Sequence, residues 1–194
     1  MNTQTKLLFG FAILALGAAL ILNAGQSVAK PSWVHEVHWQ DKPDGSAKIE
    51  GLLWNEVSPY RTEYEAVNIS ARTEGKKLRL KVLAAIKESD KPDIYDFEYE
   101  NGRLLLTGYL LEAIAPQCRN EAIGIALSDK EIAASLVNPG TPTVKRILPV
   151  TSGKYYVPKM LLSVTWDGIS ALIDLDEHKV VKVWKVGAQQ VDTK

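Results

Sequence analysis

Disulfides are the first thing this sequence cannot have. Its 194 residues include one cysteine, Cys118, so no intrachain bridge can form. Small exported domains usually depend on such bridges. Here packing must do that work, and 46% apolar residues supply the material. Cys118 itself reads as a half-buried small hydrophobe; an intermolecular disulfide or a reactive thiol is the sharper reading. Net charge is lacking too, since 23 Lys and Arg balance 23 Asp and Glu. Without a strong basic field, nucleic acid is not an expected partner. Also missing are G-x-S-x-G, H-E-x-x-H, C-x-x-C, a P-loop and G-x-G-x-x-G, which argues against the common enzyme classes and implies no cofactor. No internal repeat or low-complexity tract stands out.

What is present begins with a nearly unbroken apolar run over 7–22, with Lys6 just before it and no charge until Lys30. Three fates suit such a segment: a cleaved export signal, an uncleaved anchor, or a buried core helix. A positive start, an apolar middle and the small residues of Ser27-Val28-Ala29 fit a signal cleaved after Ala29. The stretch 7–29 also approaches the roughly 20 apolar residues that span a bilayer. In the first two cases Lys6 stays in the cytoplasm and the remainder lies outside. No cysteine follows the run, so lipid modification of the amino terminus is not expected. The body after residue 29 is long enough for one large domain or two small ones.

Along that body, 33–39 alternates loosely, and Pro43-Asp44-Gly45 signals a turn. The stretch 48–54 (KIEGLLW) reads as a returning strand. Ser58-Pro59 breaks the chain, 63–72 is strand-like, and Glu74-Gly75 suggests a hairpin turn. The next strand is plain: Leu78, Leu80, Val82, Ala84 and Ile86 share one face, Lys77, Arg79 and Lys81 the other. After a break at 90–93, Tyr95, Phe97 and Tyr99 alternate with Asp96, Glu98 and Glu100. Asn101-Gly102 then predicts a tight hairpin into 103–109. If the two alternating strands are neighbours, the basic row faces the acidic row, each pair contributing about 0.2–1 kcal/mol. The acidic row also invites a chemical reading as a cation site or a pair of hydrolase carboxylates. Side chains two apart on one strand face stand roughly 7 Å from each other, a separation such enzymes use.

Beyond Pro116 the pattern turns helical over 121–127. Ser128-Asp129-Lys130-Glu131 reads as a capping box for a second helix reaching about Val137, ended by Asn138-Pro139-Gly140. Four strand-like runs follow, over 143–150, 155–166, 169–175 and 179–186. Asp167-Gly168 joins the second to the third, and a looser turn over 174–178 joins the third to the fourth. The tail is polar.

The residues 121–127 (EAIGIAL) with 129–133 (DKEIA) resemble the helical start of PepSY-type domains. The runs Val164-Thr165-Trp166-Asp167-Gly168, Ala171-Leu172-Ile173-Asp174-Leu175 and Lys179-Val180-Val181-Lys182-Val183 are similar to the closing hairpins of that family, although His178 stands where a Gly is usual. The resemblance covers about 70 residues and implies a helix packed across a curved antiparallel sheet. It also implies an extracytoplasmic setting with roles in peptidase propeptides, inhibition or binding. The family has no universal catalytic residues, so none are carried over.

The expected fold is therefore α+β. It consists of an N-terminal apolar helix (1–29), an all-β meander or sandwich-like half (31–113), a PepSY-like helical pair on a four-stranded antiparallel sheet (114–187), and a polar tail (188–194). For chemistry, His35, His38 and His178 are the metal candidates. His35 and His38, three apart on a strand, point to opposite faces, and zinc needs three or four converging ligands. Asn68-Ile69-Ser70 is a glycosylation sequon. Five tryptophans, if grouped on the surface, would suggest carbohydrate or headgroup binding. Three functions follow. The first is a non-catalytic exported or membrane-anchored protein binding another protein, as a peptidase regulator or accessory subunit. The second is an extracytoplasmic hydrolase or metal enzyme. The third is a wall- or polysaccharide-binding module.

Overall fold

In the computed structural model, which describes residues 29–136, 140–149 and 159–185, the strands are numbered β1 to β9 in chain order. The basic and acidic rows do meet. Strand β3 (Lys77–Ala85) pairs antiparallel with β4 (Asp93–Glu100), placing Arg79 opposite Glu98 and Lys81 opposite Asp96. Lys77 lies 2.8 Å from Glu98, and Arg79 is shared between Glu74 at 2.7 Å and Glu98 at 3.8 Å. Beneath this ladder, Leu80, Val82, Ala84, Tyr95 and Phe97 are buried. Asn101 and Gly102 take the positive φ values of 50° and 79° that a tight hairpin needs, and β5 (Arg103–Leu111) returns beside β4.

The leader 1–28, the stretches 137–139 and 150–158 and the tail from residue 186 lie outside the described residues. The expected N-terminal helix, the helix stop at Asn138-Pro139, the start of the 155–166 strand and the polar tail therefore do too. No helix among the described residues is long and apolar enough to cross a membrane.

Two corrections change the architecture. First, 48–54 is not a returning strand. Residues Ser46–Leu53 form a helix, α1. Ala, Lys, Glu and Leu favour that state, and Ile49 and Leu53, four apart, share the buried face. Gly45, at φ 74°, turns the chain into it. The helix is needed because β1 (Val34–Gln40) runs parallel to β2 (Tyr64–Glu74), and parallel neighbours cannot be joined by a hairpin. The first half is thus not a pure meander. The Trp39 indole donates to Glu50 at 2.6 Å, tying β1 to the crossover. Trp33 stacks edge-on against Trp54 with centroids 6.0 Å apart.

Second, the expected α+β arrangement, with a helical pair on its own four-stranded sheet, gives way to a single sheet. Among the described residues nine strands lie in sequence order, β1 to β9, with three short helices against them. The join is local: β5 runs to Leu111, which pairs with Arg146 of β6 (Thr143–Ile147). The sheet then continues through β7 (Leu161–Trp166), β8 (Ile169–Asp174) and β9 (Lys179–Lys185). The helix α2 (Pro116–Ser128) starts at Pro116, whose missing N–H costs nothing at a first helical position. Its small buried residues Ala122 and Ala126 belong to the core cluster of β6–β8. The cap of α3 (Lys130–Ser135) is Asp129 rather than Ser128: its carboxylate accepts from the N–H groups of Glu131 and Ile132 at 2.9 and 3.2 Å. The Ser128 hydroxyl instead donates back to Ile125.

Two apolar clusters result, one under β1–β5 and α1, the other under β6–β9, α2 and α3. The turn after β8 is held by Asp174, whose carboxylate accepts from the N–H groups of Asp176 and Glu177 at 3.1 and 3.2 Å and pairs with Lys159. Burial would raise this carboxyl's pKa, but Lys159 and the two N–H groups outweigh it and hold it below its ordinary value. A depressed acid contributes stability above its unfolded pKa and loses it as pH falls through the folded one. Asp174→Ala is therefore expected to cost about 1–3 kcal/mol at neutral pH. That deficit should begin to shrink below about pH 4, where the unfolded chain takes up the proton first, and should vanish as pH falls through the lower folded pKa. Urea titrations of both proteins across that range check it.

Candidate functional site

Where the two halves of the sheet meet, charge is buried. Arg146 points inward from β6 because it is in phase with the core residue Val144 on a period-two strand. It meets Asp93, the first residue of β4, and both side chains are 0% exposed. The guanidinium also donates to the Tyr64 and Tyr95 hydroxyls at 3.1 and 3.2 Å and to the Ser58 carbonyl at 2.9 Å. The Tyr64 hydroxyl donates to Asp93 at 2.6 Å, and the Ala113 N–H reaches the other carboxylate oxygen at 2.9 Å. Burial pushes the Asp93 carboxyl above its ordinary range, against the pull of Arg146 and these hydrogen bonds. Burial likewise raises both tyrosines, opposed chiefly by the Arg146 charge. No solvent reaches the ion pair, so its office is to bind β2, β4, β6 and the loop at Ser58 together. Sequence reading missed this set, although Asp93 is in phase with Tyr95 and Phe97 and so announces an inward carboxylate.

The three histidines do not converge. His35 sits 2.7 Å from Glu63, His38 3.1 Å from Glu36, and His178 2.8 Å from Glu121 of α2. Among the described residues no group of three or more His, Cys, Asp or Glu is placed to hold a metal ion. Asn68 is exposed on β2, beside His38 and Leu83. Cys118 is half-buried in the first turn of α2, packed against the second cluster. Within the acidic row, Asp96 pairs with Lys81 and Glu98 with Lys77 and Arg79. The hydrogen bond from Lys77, more than any other cause, lowers the Glu98 pKa. A general acid for glycoside hydrolysis needs the opposite shift.

Tryptophans form no surface row. Trp54 and Trp166 are buried and Trp33 and Trp39 half-buried, leaving Trp184 on the surface. Trp184 belongs to β9, which ends the sheet. No described strand lies beyond it. On this strand Val181 is 47% and Trp184 36% exposed, among the few large apolar side chains of the described residues that reach solvent, and Lys179, Lys182 and Lys185 are exposed beside them. A strand edge offers a row of backbone donors and acceptors to a further strand, and apolar side chains flanked by one sign of charge set which strand fits. Strand β1 ends the sheet on the other side. There the Lys30 ammonium rests on the carbonyls of Val34 and His35. Comparison with known protein families, with curated proteins and with solved structures finds no match to this chain.

Proposed function

We propose that this chain is a non-catalytic protein, exported or held at the membrane by residues 7–29, whose β-rich body binds another protein. The contact is strand addition at the outer edge of β9, and the partner segment is extended, apolar on alternate residues and acidic. A role beside a peptidase or within a membrane complex agrees with the PepSY-like stretch over 121–183. The observation that carries the reading is β9 itself. It has no neighbouring strand beyond it among the described residues, and it exposes Val181 and Trp184 between lysines. Backbone pairing supplies affinity in such contacts and the side-chain alternation supplies specificity. The apolar leader supports the location, since it would place everything after Lys30 outside.

The test uses the full chain in mild detergent and a labelled seven-residue peptide of alternating valine and glutamate. Fluorescence anisotropy should show binding that weakens with added salt and weakens further with Trp184→Glu or Lys185→Glu. A peptide with lysine in place of glutamate should bind at least about tenfold more weakly. Equal binding of both peptides, or of neither, refutes the contact. A reporter fused after Lys194 should be active only outside the cytoplasm, and activity confined to the cytoplasm refutes the location.

A further inference from the structure

The two ends of the sheet complement each other. Each is a seven-residue strand with no described strand beyond it. On β9, Val180 and Val183 pack against the second core cluster. Lys179, Lys182 and Trp184 alternate to the other face, beside Asp174, Leu172 and Ser170. On β1, Val37 and Trp39 pack against the first cluster. Glu36 and His38 alternate to the other face, beside Ala66 and Asn68. Side by side, these strands set valines against Val37 and Trp39 on one face. On the other they set lysines against Glu36.

Like edges do not combine this way. Two copies of β9 would bring lysines against lysines, an arrangement natural sheets use to prevent edge pairing. Two copies of β1 would set Glu36 against Glu36. Charge around β1 adds to the complementarity. A hollow of about 580 Å³ at its start is lined by Glu36, Glu63, Glu65 and Glu88 against Lys87 and His35. The chain's own Lys30 shows that a lysine ammonium is accepted on the first carbonyls of this edge.

We infer that the partner of β9 is the β1 edge of a second copy of this chain, so that copies join head to tail and the sheet runs on from one to the next. This rests on the reading of β9 as the contact strand and names its occupant. A head-to-tail contact is heterologous: it leaves one free β1 and one free β9 in every pair, and therefore builds a ring or an open filament rather than a two-fold dimer.

Sedimentation velocity on the full chain in mild detergent tests it. The wild type should show species growing beyond two copies as concentration rises. A β9 variant, Lys179→Glu with Lys182→Glu, should associate at least about tenfold more weakly, because like charges then face each other across the contact. The β1 variant Glu36→Lys should do the same. Mixed together, the two variants should again grow beyond two copies. The intact β9 of one joins the intact β1 of the other, and the two charge-reversed edges, one acidic and one basic, complement each other in the same way. Circular dichroism of each variant alone confirms that it is folded. Three results overturn the inference: a monomer at every concentration, association that neither variant weakens, or a mixture that stays monomeric while the wild type assembles. If the wild type stays monomeric yet still binds the glutamate peptide at β9, the second copy is excluded and the contact edge stands. If neither occurs, both fall.

Discussion

Replacing Arg146 with methionine is expected to destabilise the protein by about 3–5 kcal/mol. The change leaves the Asp93 carboxylate sealed in the junction with no cation, while the Tyr64 hydroxyl and the Ala113 N–H remain around it. Domains are stable by about 5–15 kcal/mol, so the loss is a large share of the whole. Asp93→Asn is expected to cost a similar amount for the mirror reason, since it strands a buried guanidinium. The double variant should cost clearly less than the sum, because the new amide still accepts from the Ala113 N–H and no charge is left unpaired. Guanidinium titrations of the four proteins give the coupling. Additivity within about 0.5 kcal/mol would mean that the two side chains do not act as a unit.

The same arginine variant should also divide the unfolding transition. Between β5 and β6 the backbone pairs only at Leu111 and Arg146, and each half has its own apolar cluster. The remaining ties across the junction include the Arg61–Asp176 ion pair, which is exposed and therefore weak. With the buried pair gone, the halves should lose their common transition. Tryptophan fluorescence and far-UV circular dichroism would then give midpoints that no longer coincide.

Strand identity and facing were readable wherever a period of two ran beside a turn of known chemistry. Leu78 to Ile86, Tyr95 to Tyr99, and the turns at Asn101-Gly102 and Asp167-Gly168 are such places, and the facing of basic and acidic rows followed from them. What could not be read was non-local. The junction depends on one pair, Leu111 with Arg146, whose partners are far apart in the chain. Asp93 looked like part of the break at 90–93 because Pro92 precedes it, whereas its phase with Tyr95 and Phe97 places it inside. The capping-box pattern pointed to Ser128 as the cap, one residue ahead of Asp129. Backbone geometry chose Asp129, because Ser128 still belongs to α2. Of the contact edge, the lysines and valines of β9 were visible in the sequence. That β9 lies last in the sheet, with Trp184 exposed, was visible only in the fold.

The stretch 48–54 is the clearest case of two readings sharing one pattern, and it carries the second large prediction. On a strand, Ile49, Gly51 and Leu53 face one way. On a helix, Ile49 and Leu53 are one turn apart and Glu50 lies to the side. Length alone does not separate these for so short a run. The parallel pairing of β1 with β2 does, since the chain must cross the sheet between them. Leu53 is the anchor of that crossing: it is 0% exposed, and its carbonyl also takes the N–H of Val57 at 2.8 Å. Leu53→Ala is therefore expected to cost about 2–5 kcal/mol through lost burial and the cavity left behind. Leu52→Pro, at a half-buried position in the last turn of the helix and outside the apolar cluster, should cost about 3 kcal/mol, because proline there removes a helical N–H and meets the carbonyl one turn back. Chemical denaturation measures both. A core-sized loss for Leu53→Ala with no loss for Leu52→Pro would mean that 46–53 crosses the sheet in some form other than a helix. The parallel β1–β2 pairing, and with it the exposed β1 edge, would then have to be redrawn.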